Sequence, residues 1–589
     1  MIIKKYPYAL TLLTTILFIL MIGGAVSAQT MANPKSRDLM SDTWDATDAL
    51  GRTLPGYKEC GPPRPDKYVG IFYFLWETGK DSPLYDISKL LKADPSNPQY
   101  GPLYAFHWWG EPYLGYYLSD DPFVIRKHAQ MLANAGVDVL IFDVTNALTY
   151  DPEYMEICKV LESMRAVGEK TPQITFITHS KSADVVQHLY DVFYSKNLYS
   201  DLWFRWKGKP LIISSEEGLD QKIKDFFTFR ESWAWTKGQQ WFGDGKDKWP
   251  WIDNYPQNPG WDTSPDIPEE ISVCVAQHPV SNIGRSFHDG HEPPPSEQTP
   301  ALGLCFAEQW KRALQVDPEF VFVTGWNEWI AQRFVNNGGI NFLGKPLPKG
   351  GTFFVDEYDE EYSRDIEPMR GGFGDDYYYQ LVANIRRYKG VRQVPSPSPQ
   401  RTIIIGNNFS QWDTVKPVYL DDIGDTAHRD HAGWGGKHYV NDSGRNDFDT
   451  MKVARDRLYL YFYVRTVKPI TPPEGDKWML LFINTDHNPK TGWEGYDYVI
   501  NRGGPGVIEK NVAYKWEWKP IGHVRYAIKG NQMQIAIPRS LIGLPETAGK
   551  LRFDFKWADN APVNGDILSF IDQGDTAPDD RYSYRYEER

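Results

Sequence analysis

The sequence predicts a multidomain chain: a (β/α)8 barrel of the TIM type over residues 67–390, then an all-β, immunoglobulin-like or jelly-roll sandwich over 402–589. Three observations carry this reading. Apolar runs alternate with helix-period segments in the first part, the period changes to two in the second, as in RLYLYFYVRTV and MQIAIP, and between them GVRQVPSPSPQR lacks any period. Residues 391–401 therefore read as a Pro/Ser linker. An open doubly wound sheet is the competing arrangement. No glycine-rich phosphate loop follows an early strand, however, so nucleotide binding is set aside.

The chain opens with Lys4 and Lys5, an apolar run from Tyr8 to Met21, and small residues up to Ala28. This is the pattern of a cleaved signal peptide over 1–28, and it predicts a secreted or periplasmic protein. Residues 29–66, polar and rich in Pro and Gly, are expected to form an extended lead-in. No later run reaches the roughly 20 apolar residues of a membrane span. Losing Lys4 and Lys5 takes the net charge from −13 to −15, which disfavours nucleic acid as a partner. A monomer is expected. Four dispersed cysteines make neither a disulfide framework nor a zinc cluster, whereas 22 Trp and 35 Tyr suit a protein that stacks rings against sugars.

KYVGIFYFLW, from Lys67, is the first strand. The loop AFHWWGEPYLGYY carries His107, Trp108, Trp109 and Glu111. So many aromatic rings are unfavourable on an open surface, so the loop is expected over a cleft, or else as a flap against the barrel side. Pro122 starts a helix capped by Asp120 or Asp121 and stopped by Gly136. The strand VDVLIFDVTN ends in Asp143, and ITFITHS ends in His179. A Trp-laden region then holds Glu231, Trp233, Asp253 and Tyr255. FVFVTGWNEW is a buried strand that delivers Trp326, Asn327, Glu328 and Trp329 at its carboxyl end, where α/β sheets build active sites. FVDEYDEEYSRDIEPM is an acidic insertion whose Asp356 or Glu357 can reach the cleft, and DYYYQLVANIRRYKG is the last helix of the barrel.

Between two indoles, Glu328 is expected to be desolvated, with the raised pKa of a general acid. The alternative is that it pairs with an arginine while Trp326 and Trp329 simply pack. Asp143, placed directly after an apolar run, is the first choice for a second carboxylate, ahead of Asp253, Glu231 and Glu111; its alternative is a helix cap or a salt bridge in the barrel mouth. Asn327, Trp326, Trp329, His107, Trp108, Trp109, Glu111, His179, Glu231, Trp233, Asp253 and Tyr255 are expected to line a site for an oligosaccharide or polysaccharide. The barrel has no zinc-binding spacing, and no organic cofactor is expected.

The WNEW strand together with the HWWGEPYLGYY loop resembles glycoside hydrolase family 99 and its bacterial relatives, which are (β/α)8 barrels. That resemblance implies hydrolysis of glycosidic bonds with Glu328 as general acid or acid/base. The family places a second catalytic glutamate three residues further on, where this chain has Ala331, so only Glu328 carries over and the partner must come from another strand end. INTDHNPKTGWEGYDYVINR and FDFKWADN resemble family 9 carbohydrate-binding modules, which implies a structural calcium at Asp486, Asn488 and Asp497. The same residues are also ordinary turn formers. Trp412 and Trp434 are candidate sugar platforms. Two other functions compete: a catalytically silent glycan-binding protein, and a polysaccharide lyase using Arg230, Arg285 and Arg333.

Overall fold

The computed structural model describes residues 36–589, so the expected signal peptide lies outside the described residues. Among those described, no helix is long and apolar enough to cross a membrane. The first unit is a curled sheet of seven parallel strands. From one edge they run Thr228–Arg230, Lys209–Ile213, Gln173–Thr178, Val139–Val144, Tyr68–Tyr73, Phe320–Thr324 and Pro268–Cys274.

Strand alternation sorts side chains into two cores. Val139, Ile141, Phe72, Phe320 and Phe322 meet on the concave side with Trp206 and Trp249, whereas Leu140, Phe142, Ile71 and Val323 face the helices. Gly70 sits on the concave side because the Phe320 ring lies only 2.5 Å from where a Cβ would be. Helix Pro122–Ala135 covers the outer face, with Asp121 accepting from Phe123 N at 3.0 Å as its cap and Gly136 in the left-handed region at its end.

The regular eight-fold alternation expected from the sequence is not what forms. No α-helix lies between Phe226 and Leu304. This stretch is too rich in Trp, Gly and Pro to hold a helical period. Extended chain takes over there, with Trp249 N donating to Glu231 O at 2.9 Å and Trp235 N to Ile252 O at 2.8 Å. These bonds carry the curl from the Thr228–Arg230 edge toward Gly260–Trp261, which pairs with Pro268–Cys274.

The second unit consists of two antiparallel sheets. One has five strands centred on Tyr459–Thr466, the other seven centred on Leu480–Asn484 and Arg552–Asp559. They pack face to face, with the Phe462 ring 6.0 Å from Phe553 and 5.5 Å from Phe555. Trp412 and Trp434, candidate sugar platforms in the sequence, are both buried. Trp412 donates to Gln534 at 2.9 Å, and Trp434 lies against Trp108 at 5.7 Å.

Two segments tie the units together. The hairpin Arg429–Ala432/His438–Asn441 reaches from the second unit to the first, where Arg429 pairs with Asp121 at 2.8 Å and donates to Leu114 O at 2.9 Å. The expected extended lead-in is instead a wedge. Trp44 is 2% exposed, edge-on to Tyr582 and Tyr584, and Asp45 exchanges backbone hydrogen bonds of 2.9 and 2.8 Å with Ser583. Trp44→Ala is expected to lower stability by about 3–5 kcal/mol, as Trp-to-Ala truncations in a core do, with urea denaturation as the measurement.

Candidate active site

At the carboxyl end of the parallel strands a single guanidinium organises the acidic residues. Arg364, 1% exposed, comes from the insertion after the Phe320–Thr324 strand. Its Nε and Nη2 donate to one oxygen of Glu328, the former at 3.1 Å, its Nε lies 3.2 Å from Glu357 and its Nη2 3.5 Å from Asp356. Nη1 donates to Gln277 O at 2.8 Å, and the guanidinium stacks over Trp251 at 5.4 Å. The backbone of this insertion is clamped in turn, since Gly325 N donates to Arg364 O at 2.9 Å and Asp365 accepts from Glu328 N.

Burial drives Glu328 and Glu357 well above the usual carboxylate range, against the pull of Arg364. Both are sealed and share one cation, so the titration of each is tied to that of the other. Asp143, 7% exposed, is pushed up to about 6 by burial, with Thr145 hydrogen bonds and Arg364 opposing and the Asp356 charge adding to the rise. His278 goes the other way, to about 4, through burial and the nearby Arg364. Asp356, half-exposed at the rim, holds a left-handed φ of 60°.

An aromatic line runs beside these groups. Phe106 meets Trp76 at 5.9 Å, Trp76 meets Phe74 at 6.0 Å, and Phe72 joins Phe74 to Trp251 at 4.7 and 5.4 Å. Trp251 meets Trp233 at 6.3 Å, and Trp233 stacks on exposed His179 at 3.4 Å. Trp76, Trp233 and Trp251 each keep part of their surface open. The arrangement offers flat apolar faces with charged groups at their edge, which suits a polar molecule with apolar ring faces.

Asp143, His179 and Trp233 lie at this end of the sheet, and Tyr255 is exposed on the loop after Trp251. Glu328 is not the free general acid expected from the sequence, because its carboxylate is bound by Arg364. Trp326, Trp329, Trp108 and Trp109 are core, not lining: Trp109 stacks on Trp329 at 4.4 Å, and their indole nitrogens donate to Asp365 and Glu367 at 2.8 and 2.6 Å. Asn327 ties down the end of the first strand, accepting from Phe74 N at 2.9 Å and donating to Phe74 O at 3.1 Å. His107 is buried between the carbonyls of Ala105 and Tyr100 at 2.9 and 2.6 Å. Glu111 pairs with Lys89 at 2.5 Å, Glu231 with Lys248, and Asp253 accepts from Thr236 N, Asn254 N and Asn258 N.

The residues of the implied calcium site take part in local hydrogen bonds. Asp486 accepts from Asn488 N at 2.9 Å and Thr491 Oγ1 at 3.0 Å, Asn488 from Lys490 N at 3.1 Å, and Asp497 from Thr485 N at 2.8 Å, so all three shape turns. Arg364 and Trp251 were not singled out as site residues by sequence reasoning. The available signal for Arg364 was its being the one basic residue in FVDEYDEEYSRDIEPM.

No family model matches the chain, and no curated protein matches it. Among solved structures, the GH99 endo-α-mannosidase of Bacteroides thetaiotaomicron in complex with bis-tris-propane is similar at 15% identity and a TM-score of 0.32, over 55% of this chain and 98% of its own. A second structure of the B. thetaiotaomicron enzyme is similar at 16% identity and a TM-score of 0.33, over 56% and 99%.

The raised Asp143 carboxyl has a thermodynamic signature. Its stabilising contribution, held while protonated, is complete below the unfolded value of about 4 and is lost as pH rises through the folded value of about 6. Asp143→Asn does not titrate, so from about pH 4 to about pH 8 the variant is expected to gain roughly 2–3 kcal/mol relative to the parent in urea denaturation. An unchanged difference would mean that Asp143 ionises without penalty.

Proposed function

We propose that the chain hydrolyses glycosidic bonds of an oligosaccharide or polysaccharide, with Asp143 as the proton-transfer group and Asp356 as the second carboxylate. The observation that carries the reading is a carboxyl raised to about 6 beside a line of part-exposed tryptophans at the carboxyl end of a parallel sheet. Sugar rings stack on Trp76, Trp251 and Trp233. Asp143 gives its proton to the glycosidic oxygen as the bond to the anomeric carbon breaks, so the leaving sugar departs as an alcohol. Asp356 faces the positive charge that develops on the ring, and a water supplies the new oxygen while a carboxylate takes up its proton. Glu328 is a positioning residue in this scheme, orienting Arg364 and through it Asp356. Export by way of the 1–28 segment belongs to the same proposal.

A second reading, glycan binding without turnover, is favoured by Ala331. It is buried in the strand Ile330–Val335 opposite His107, so no carboxylate stands where the family resemblance requires one.

A panel of aryl glycosides and complex glycans separates the two. Hydrolysis is expected, and Asp143→Asn is expected to reduce turnover by at least about 10²-fold, while carbohydrate affinity persists. The loss is expected to be smaller on nitrophenyl substrates, whose leaving group needs little protonation. Glycan binding by the parent chain with no turnover on the whole panel favours the second reading.

A further inference from the structure

The seam between the two units holds a cluster of carboxylates with a single lysine paired to it. Asp425, Asp447 and Asp575 each offer one oxygen within 4.8 Å of the others. In each residue Oδ2 is already engaged: Asp425 Oδ2 with Lys127 at 3.6 Å, Asp447 Oδ2 with Gly424 N at 2.9 Å, and Asp575 Oδ2 with Phe448 N at 2.5 Å. The remaining Oδ1 atoms of all three are buried without a hydrogen-bond partner. Next to them Asp421 is fully buried with both carboxylate oxygens unpartnered, and the charges of Asp575, Asp579 and Asp425 act on it. An unpartnered buried carboxylate is among the least favourable groups a protein can contain.

The cations nearby do not resolve this. Lys127 lies 3.6 Å from Asp425 and is shared with the charges of Asp575, Asp579 and Asp580, one cation among four acids. Lys556 is fully buried, but its ammonium donates to the carbonyls of Pro578 and Tyr582. Arg126 is taken by Glu169 at 3.2 Å.

We infer that Asp425, Asp447 and Asp575 form a calcium site at the seam between the two units, with Asp421 beside it. The donors are all hard oxygens, as calcium takes, and no histidine or cysteine joins them. Calcium–oxygen bonds of 2.3–2.6 Å put two ligands on opposite sides of the ion at about 5 Å, so oxygens within 4.8 Å of one another fit one coordination sphere. The ion would join the loop at Asp421–Asp425, the start of the Phe448–Arg455 strand and the Asp575–Ala577 strand to the Lys127 helix of the first unit.

The test uses the full chain. Elemental analysis of the purified protein is expected to find one calcium per chain. After stripping with EDTA and dialysis, calcium chloride is expected to raise the melting temperature by several degrees and magnesium chloride by far less. Asp447→Asn, at the part-exposed corner, is expected to fold and to lose the calcium response; Asp486→Asn is expected to keep it. A stripped protein unmoved by either ion, or an Asp447→Asn protein that responds to calcium as the parent does, would overturn the site. An equal response to magnesium would overturn the choice of calcium.

Discussion

The carboxyl end of the parallel sheet depends on one imbalance: Arg364 is a single permanent cation facing Glu328, Glu357 and Asp356. A guanidinium is hardly ever deprotonated in a protein, so every adjustment of charge falls on the acids. Glu328 and Glu357 are sealed with it, while Asp356 is half-exposed and the nearby Asp143 is pushed up to about 6. The rest of the site follows from holding that cation in place. Trp251 lies under it, Gln277 accepts from it, and the bond from Gly325 N to Arg364 O fastens the insertion to the end of the central strand.

What the sequence discloses follows from the range of the forces involved. The Phe320–Thr324 strand and the Pro122–Ala135 helix with its Asp121 and Gly136 ends are legible because period, cap and stop are local. The Tyr459–Thr466 strand is legible for the same reason, since it alternates. The region after Phe226 is not, because its Trp-rich chain takes its shape from neighbours far along the sequence. The site divides the same way. WNEW correctly marks where the strand ends, but four residues cannot tell a carboxylate facing a cleft from one facing an arginine 36 residues later. The aromatic residues mislead for a related reason: the indoles flanking Glu328 and those of the 108–109 pair fill the core, whereas Trp76 is one more aromatic at the end of the first strand and Trp251 one of several tryptophans in its region.

The two units are also more closely joined than the Pro/Ser stretch between them suggests. Arg429 pairs with the aspartate that caps a helix of the first unit, and Trp434 is buried against Trp108. A charge pair sealed in such a seam contributes little net stability, but losing one partner leaves the other uncompensated, so the hairpin and the helix are bound to one relative position.

The wedge formed by Trp44 and Asp45 has a consequence for how the molecule is made. Its partners, Tyr582, Ser583 and Tyr584, follow it by 538 residues or more along the chain. At roughly 5–20 residues per second, synthesis leaves Trp44 without its cover for on the order of half a minute to two minutes. Folding of the seam therefore waits until the 582–584 segment has left the ribosome, and a nascent chain displays this indole to whatever it meets before then.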